Sequence, residues 1–498
     1  MTLLVRLLTL VQGGLGNLAA YLAAHVLLCL LPAFFSAGGL SALVPKEAVT
    51  RFLGRNSPKY ISYPAAALAG SVLAVCSCTI VPLFAGIYKK GAGLGPAITF
   101  LFFAPAANIL ALSYTGVALG ADLAIARLVL SLVFGLGIGW IMALIFRRED
   151  IAHAQAADTT YVGGEGLRRP VVALLLLLVA LLLVGTLKVP VLRATYARFT
   201  LPIGGFDRLQ ATLYRLVPFD ASRGEEGVTA QGAILIVLLA LIALSAWKGL
   251  GRVDEGYNRW TWAALAMVSL TLLVAAVQMT PSATGLEIGL TGKFFGVLIA
   301  LGALVHLARR HLDEYEVQQW LWETWRFVRQ IMPWLIVGVF AVGIVRQLIR
   351  PEWIEALAGT NNLWGNLAGV LFGVFMYFPT LVEVPIAQMF LGLGMHRGPL
   401  LAYLMADPEL SLQSILITAT IIGKRKAWVY VGWVALLSTL AGLLYGAWID
   451  GASLWVLALY LAAALAVLAG ALWWVSKRDV ARAAGGQSAL EPREERVA

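Results

Sequence analysis

Two of the three cysteines in this chain stand two positions apart, at Cys76 and Cys78, with Ser77 between them and Thr79 after them. A deprotonated thiol is a soft ligand that prefers soft, thiophilic centres. Because residues i and i+2 of extended backbone lie on one side, an unwound turn before Pro82 would bring both thiols to one cavity. These four residues form a predicted substrate-binding group, with Cys76 and Cys78 as candidate metal or metalloid ligands. The alternative is two buried cysteines that only pack against apolar neighbours.

Three carboxylates stand in segments that are otherwise apolar. Glu383 comes two residues before Pro385, and Asp407 and Glu409 flank Pro408. An ionisable group within a membrane is costly, so it is a functional candidate by default. The three side chains could bind a cation, or carry protons by alternating between charged and neutral forms, and the proton is the expected coupling ion. The alternative is a buried ion pair with Lys or Arg, or a side chain that reaches the membrane interface.

Asn108 is the remaining polar candidate, because it follows Pro105 in a predicted span and could complete a polar site. An interhelical hydrogen bond is the alternative role for this amide. Two thiols are also fewer than the four ligands of a closed structural zinc site. The sequence contains no P-loop, kinase motif, nucleophile elbow or HExxH motif. We therefore predict neither ATP hydrolysis nor another enzyme activity, and no cofactor.

The elements that must position these residues are membrane helices. The chain has 498 residues, of which 60% are hydrophobic and 13% are charged, whereas soluble domains carry roughly 25% charged residues. Apolar runs long enough to span a bilayer recur along the chain, so we predict an all-α polytopic protein of the lipid bilayer. The net charge is +10. Most Lys and Arg residues stand in short loops between apolar runs, which indicates orientation signals rather than nucleic-acid binding.

Eleven apolar runs have the length of a spanning helix, and two further runs are interrupted near their middle. The interruptions lie before Pro82 in residues 61–90 and before Pro385 in residues 363–395. Proline removes a backbone donor and clashes with the preceding turn, so each interrupted run is predicted to form two half-helices in a re-entrant hairpin. Unwound backbone at membrane depth must be buried in protein or line a wet cavity. The eleven predicted spans are 17–40, 92–115, 118–146, 170–189, 230–247, 261–280, 288–308, 331–349, 398–421, 427–448 and 452–475.

The two interrupted runs share a pattern of prolines and glycines at one offset. The offset is 303 residues, the distance from Pro82 to Pro385. Internal repeats of this kind predict a duplicated structural unit. The coinciding pairs are Pro82 and Pro385, Pro96 and Pro399, Pro105 and Pro408, Gly70 and Gly373, Gly91 and Gly394, and Gly95 and Gly398.

The basic loops favour one of two topologies. Short loops rich in Lys and Arg lie in the cytoplasm, and re-entrant hairpins would place loops such as 89–90, 309–310 and 424–426 there. The N-terminus then lies outside, eleven spans follow, and the two repeats are inverted. If the interrupted runs cross fully, thirteen spans result and the charges fit less well. Inverted repeats with broken helices near the midplane are typical of secondary transporters, so we expect the two hairpins to share one central site.

The repeat divides the chain into four predicted parts. Residues 1–147 form the N-terminal permease repeat, and residues 328–449 form the C-terminal one. Residues 148–327 hold middle helices and linker loops, and residues 450–498 hold a last helix and a polar tail. The sequence does not indicate what the middle helices or the 190–229 loop do.

Two stretches resemble the ArsP-type permease family, which comprises predicted permeases of bacteria and archaea linked to metalloid and organoarsenical efflux. They are CSCTIVPLFAGIYKKGAGLGPAITFLFFAPAAN and FPTLVEVPIAQMFLGLGMHRGPLLAYLMADPELSL, and the resemblance covers about residues 17–147 and 328–449. It implies a multi-pass permease of a prokaryotic cytoplasmic (inner) membrane that exports a small inorganic or organometalloid substrate along an ion gradient. The second repeat has no cysteine, so a third thiol would have to come from Cys29. This favours a substrate that two thiols can bind over inorganic arsenite in a three-thiolate cage.

Two other functions compete with transport. A membrane thiol–disulfide oxidoreductase could use Cys76 and Cys78 as a redox pair, although one intervening residue is tighter than the usual Cys-X-X-Cys and the chain offers no second pair to pass electrons on. The other alternative is a channel or a structural membrane subunit, and a flux that saturates and depends on the proton gradient would count against it. The sequence fixes neither the substrate, nor the transport direction, nor the oligomeric state.

Overall fold

We describe the fold from a computed structural model of the chain. It describes residues 3–462 and positions 466 and 470, except 24–25, 56, 73–76, 161–167, 188, 203–204, 218–226, 283–284, 349–351, 376–382 and 454. Beside several of these gaps, residues 77–79 among them, only the backbone is described.

Helices make up almost all of the first part. Its helices are α1 (Leu3–Ala23), α2 (Val26–Leu43), α3 (Lys46–Leu53), α4 (Lys59–Val72), α5 (Ser77–Lys89), α6 (Leu94–Ala106), α7 (Ile109–Leu119), α8 (Ala121–Ile145) and α9 (Arg147–Thr160).

The middle part combines helices with three short strands. In chain order it contains α10 (Arg169–Thr186), α11 (Pro190–Arg193), β1 (Thr195–Leu201), α12 (Phe206–Leu216), α13 (Ala230–Gly249), a 3-10 helix (Leu250–Glu255), α14 (Arg259–Ala276), β2 (Gln278–Ser282), β3 (Gly285–Thr291) and α15 (Gly292–His311). The strands form one antiparallel sheet in the order β1-β3-β2. The all-α prediction missed this sheet, because its strands are short and β1 is almost wholly exposed, so no alternation of buried and exposed residues marks it.

The last part is again helical. It contains α16 (Glu314–Leu348), α17 (Glu352–Ala358), α18 (Leu363–Phe375), α19 (Glu383–Gly392), α20 (Arg397–Leu410), α21 (Leu412–Ile422) and α22 (Lys424–Ile449). The predicted span 331–349 is the second half of α16, which runs unbroken for 35 residues.

The helices are those of a multi-pass membrane protein. Among the described residues, seven helices are long and apolar enough to cross a membrane, or eight if the bent pair of α20 and α21 forms one span. Four shorter apolar helices accompany them, at Leu30–Leu43, Ile80–Lys89, Arg169–Gly185 and Leu363–Phe375. The polytopic helical class is therefore confirmed, while the number of eleven spans stays a prediction.

The residues just before and just after each interrupted run are hydrogen-bonded to each other. The Gly93 N–H donates to the Leu53 carbonyl at 2.8 Å, and the His396 N–H donates to the Ala358 carbonyl at 2.9 Å. Because hydrogen-bonded groups are neighbours, residues 54–92 and residues 359–395 both return to their own starting point. A re-entrant hairpin requires this return, and a full crossing would separate the two ends.

Two more helix breaks occur where the sequence predicted continuous spans. Residues 92–115 are divided between α6 and α7, and residues 398–421 between α20 and α21, which meet at 46°. Pro105 and Pro408 lie one turn before the breaks, where each removes a helical hydrogen bond. The side chains of Asn108 and Ser411 then cap the new helices. The sequence did not predict these two breaks, although Leu94–Leu119 still has the length and hydropathy of one span, and α20 with α21 passes the same test as a bent pair.

Structural details recur at the offset of 303 residues. Helices α7 and α21 begin and end at corresponding residues, and their caps Asn108 and Ser411 correspond as well. Gly91 and Gly394 have φ of 85° and 89°, a left-handed conformation that favours glycine in both return turns.

A hydrogen bond and an ion pair show that several helix ends lie together at one face of the bundle. The Leu94 N–H donates to Asp150 Oδ1 at 2.9 Å, and Lys426 lies 3.1 Å from Glu149. The start of α6, the end of α8 and the start of α22 therefore lie together. We call this face the basic end, because Lys89 also lies here.

The opposite end is held by a second set of contacts. Arg397 pairs with Asp122 at 2.9 Å, and His396 lies 3.0 Å from Asp450. The starts of α20 and α8 and the end of α22 therefore lie at this end. Since α6 starts at the basic end and α20 at the opposite end, these two helices run in opposite directions.

Candidate functional site

Four half-helices begin inside the bundle. Helices α5 and α21 run from the interior to the basic end, and α7 and α19 run from the interior to the opposite end. All of α6 and residues 398–410 of α20 are buried beside these starts. A helix N-terminus carries a partial positive charge, and in broken-helix transporters such termini face anionic groups.

A buried ion pair joins the two halves of the chain at this place. Arg127 Nη2 lies 2.8 Å from Glu383 Oε1, and neither side chain has any exposed surface. Glu383 is the first residue of α19, and Arg127 lies in the second turn of α8. The structure thus places Glu383 in a buried ion pair, one of the roles that the sequence left open for it.

Arg127 is held by more than this carboxylate. Its Nε donates to the Ala106 carbonyl at 3.0 Å, and its Nη1 donates to Thr115 Oγ1 at 3.1 Å. One guanidinium therefore connects α8 with the end of α6, with α7 and with α19. The sequence analysis missed this residue, although an arginine inside the predicted span 118–146 was a usable signal, because intramembrane charges are rare.

Glu409 has a different partner. The Tyr430 hydroxyl donates to Glu409 Oε2 at 2.6 Å, and both side chains are buried. No hydrogen-bond partner reaches Glu409 Oε1 from the described part of the chain. Tyr430 occupies the position that corresponds to Arg127 at the offset of 303 residues. Of these two corresponding residues, Arg127 thus gives Glu383 a cation, and Tyr430 gives Glu409 a neutral hydroxyl.

Asp407 and Gln413 lie near Glu409, around the break between α20 and α21. Asp407 is fully buried. The backbone of α18 packs closely against it, since a Cβ added to Gly373 would lie 2.8 Å from the backbone nitrogen of Asp407. Gln413 is also buried, and neither polar atom of its amide has a hydrogen-bond partner among the described residues. Among the described residues, the Gln413 amide and Glu409 Oε1 therefore have unused hydrogen-bonding capacity, which a bound ion or substrate could satisfy.

Asn108 serves the local backbone. Its Oδ1 accepts from the Ala111 N–H at 2.8 Å, and its Nδ2 donates to the carbonyls of Ala104 and Pro105. The amide thereby caps α7 and holds the end of α6 beside it. The sequence predicted either a site ligand or an interhelical hydrogen bond for Asn108, and it did not predict this capping role.

The cysteine stretch is described only in part. Cys76 lies outside the described residues, and for Ser77, Cys78 and Thr79 the structure gives the backbone. Helix α5 begins at Ser77, so the prediction that Cys78 lies in unwound backbone was wrong. A proline does not fix the exact position of a helix break. It restricts the backbone of the preceding residue and clashes with the carbonyl four positions back, so the break can fall at any of several residues before it. Among the described residues, no three His, Cys, Asp or Glu side chains are arranged to hold a metal ion.

Comparisons with known proteins agree with a membrane carrier. The sequence model of the ArsP_1 family, described as "Predicted permease", matches residues 13–447. A UPF0718 protein of Methanocaldococcus jannaschii is 30% identical over 442 residues, which cover 88% of this chain and 97% of that protein. The UPF0718 protein YraQ of Escherichia coli is 27% identical over 124 residues, 25% of this chain and 35% of YraQ. No solved structure shows significant similarity to the chain.

Proposed function

Since the chain belongs to the ArsP_1 family of predicted permeases, we propose that it is a secondary transporter with one central site between its two hairpins. The observation that carries this proposal is a set of two buried pairs, Arg127 with Glu383 at the start of α19 and Tyr430 with Glu409 just before the start of α21. Intramembrane ionisable groups at broken helices mark substrate and ion paths in transporters. A permease of this kind translocates its substrate without chemical conversion, so the chain is a transporter rather than an enzyme.

The two halves form an inverted repeat in this proposal. The opposite directions of α6 and α20 support it, as do the contacts between the halves. Helix α5 packs against α21 while α7 packs against α19, and α6 contacts α20 while α8 contacts α22. Such reciprocal contacts are expected when two equivalent units are related by a two-fold axis. Each hairpin would then control access from one side of the membrane.

Glu409 is the proposed carrier of the coupling proton. Its only described hydrogen-bond partner is a neutral hydroxyl, and no cationic side chain of the described residues forms an ion pair with it. A buried carboxylate without a cation is costly when ionised, so this residue has a reason to take up a proton when the site closes. Glu383 already has Arg127 as its cation and would stay charged throughout the cycle.

The proposed substrate is a thiol-reactive metalloid or a monosubstituted organoarsenical, which the protein would export from the cytoplasm. Cys76 and Cys78 would bind its soft centre, since thiolates prefer such atoms. Ser77 and Thr79 at the start of α5 would supply polar contacts, with Asn108, Asp407 and Glu409 nearby in the same interior region.

A resistance assay tests the role of the thiols. We expect Cys76→Ser and Cys78→Ser each to abolish the resistance that the wild-type protein gives a sensitive host against a trivalent monosubstituted arsenical. Cys29→Ser is the matched control, and it should leave resistance intact. Full resistance in both single variants at wild-type protein levels would refute the ligand role of the thiols.

A further inference from the structure

A cavity lies among helices that do not carry the residues of the proposed transport site. It has a volume of about 520 Å³ and opens between α2, α10, α14, α15 and α16. This volume is in the range of small-molecule sites. Its walls are almost entirely apolar, with Phe35, Leu178, Leu272, Leu301 and Leu304 among the lining residues.

The cavity reaches the surface beside the exposed Arg309, and we call this end its mouth. The exposed Trp262 near the start of α14 also lines the cavity, and such aromatic residues prefer the depth of lipid headgroups. Trp320 is buried in the cavity wall, where its indole donates to the Phe35 carbonyl at 2.8 Å.

The mouth lies at the basic end. Arg309 lies in the last turn of α15, and α16, which follows, pairs its Glu323 with Lys89 of the basic end at 3.5 Å. Arg309 itself is exposed and forms no ion pair with any side chain that the structure describes. An unpaired cation at the mouth of an apolar cavity provides charge complementarity for an anionic amphiphile.

The depth of the cavity matches one leaflet. Its lining extends along α14 from Trp262 to Leu272 and along α15 from Arg309 to Leu301. These stretches correspond to roughly 12–15 Å at the rise of an α-helix. Half of the hydrocarbon core of a bilayer is also about 15 Å thick. An acyl chain that enters at headgroup depth would therefore fill the cavity along its length.

We propose that this cavity binds an acyl chain of an anionic phospholipid from the leaflet at the basic end, with the lipid phosphate beside Arg309. Basic pockets between membrane helices on the cytoplasmic side are known to recognise anionic headgroups. Glu314 also lines the mouth, and its negative charge places the phosphate toward Arg309. The bound lipid would hold α14 and α15 against α2 and α16.

Native mass spectrometry of the full-length protein tests this site. Phosphatidylglycerol and phosphatidylcholine with the same acyl chains are titrated into the delipidated protein in detergent. We expect tighter binding of phosphatidylglycerol, and we expect Arg309→Gln to weaken it about fivefold, the effect of one basic residue near an anionic surface. Arg310→Gln is the matched control, because this exposed neighbour does not line the cavity.

Two further variants separate the acyl chain from the headgroup. Leu304→Trp fills the cavity and should remove the binding of both lipids, whereas Glu314→Gln should strengthen phosphatidylglycerol binding. Equal affinities for the two lipids, or equal effects of Arg309→Gln and Arg310→Gln, would overturn the proposal. Unchanged lipid binding in folded Leu304→Trp would overturn it as well.

Discussion

At the level of single residues, Glu383 and Glu409 have different partners, although both carboxylates belong to the C-terminal half of the chain. Arg127 and Tyr430 occupy corresponding positions, and Arg127 gives Glu383 a cation whereas Tyr430 gives Glu409 a hydroxyl. A charge with a fixed counterion has no reason to change its protonation, whereas a buried carboxylate facing a neutral donor has one. In the proposed transport cycle, Glu383 would therefore stay charged and Glu409 would exchange a proton.

Removal of one partner from the buried ion pair should destabilise the protein. Arg127→Met leaves Glu383 charged and uncompensated in the core, a change that costs about 3–5 kcal/mol in comparable pairs. The double variant Arg127→Met with Glu383→Met removes both charges and should recover most of this loss. Thermal unfolding of the purified variants in detergent measures the effect. Equal stability of Arg127→Met and the wild type would show that the pair is not formed.

Sequence reasoning found the carboxylates of this site but not their partners. Glu383 and Glu409 stand out because charge in an apolar run is costly wherever it points. Arg127 and Glu383 pair because the fold brings α8 next to α19. The two residues are far apart in sequence, so no local sequence pattern predicts their contact. Tyr430 was missed for a further reason, since tyrosines near helix ends are expected in the interface belt.

At the scale of elements, α9 connects the two halves at the basic end. Asp150 accepts a hydrogen bond from the start of α6, and the His153 ring stacks on Tyr88 of α5 with centroids 4.0 Å apart. Glu149 pairs with Lys426 at the start of α22. If the first hairpin moved relative to α22, the contacts of α9 with one of them would therefore have to stretch or break.

Asp150 should give this connection a pH dependence. Burial raises the pKa of its carboxyl, and the Leu94 N–H, Arg55 and Lys426 only partly offset the effect. A carboxyl with a higher pKa in the folded than in the unfolded protein contributes most stability below its unfolded pKa. That contribution is lost as the pH rises through the folded pKa. Relative to Asp150→Asn, the wild type should lose thermal stability as the pH rises from about 4 toward neutrality.

Asp150→Ala serves as the control for the hydrogen bond. It leaves the Leu94 N–H without its acceptor and should be less stable than Asp150→Asn at every pH, by about 1–3 kcal/mol. Parallel pH profiles of the wild type and Asp150→Asn would contradict the assignment of a raised pKa to this residue.

Two helix breaks show the limit of a hydropathy pattern. The breaks at Asn108 and Ser411 escaped prediction, because each lies in an apolar run of full spanning length. The capping side chains at both positions and the 46° bend between α20 and α21 mark them in the structure. The interruptions predicted before Pro82 and Pro385 fall next to residues 73–76 and 376–382, outside the described residues, and stay predictions; Cys78 itself lies in α5.

At the scale of the whole molecule, basic residues concentrate at one end. Lys89, Arg168 and Lys426 all form their ion pairs there, and positive charge favours the cytoplasm. The opposite directions of α6 and α20 support the proposed inverted arrangement, in which each hairpin would open toward a different side. In that arrangement the basic residues would place this end of the bundle in the cytoplasm.

Cysteine labelling in a cysteine-free background tests this topology. Lys59 precedes the first hairpin and Arg148 follows α8, and both are exposed. With a re-entrant hairpin, Lys59→Cys and Arg148→Cys should react with a membrane-impermeant maleimide from the same side, the cytoplasmic one. A full crossing of residues 61–90 places them on opposite sides, so labelling from different sides would refute the inverted arrangement.

Flux into proteoliposomes tests whether Glu409 carries the coupling proton. With a trivalent monosubstituted arsenical as substrate, wild-type protein should accumulate the substrate when a pH gradient is imposed. Glu409→Gln should still exchange substrate across the membrane but should lose gradient-driven accumulation, because its side chain cannot release a proton. Glu355→Gln, at an exposed glutamate of α17, should behave like the wild type. Accumulation by Glu409→Gln at the wild-type level would contradict the account.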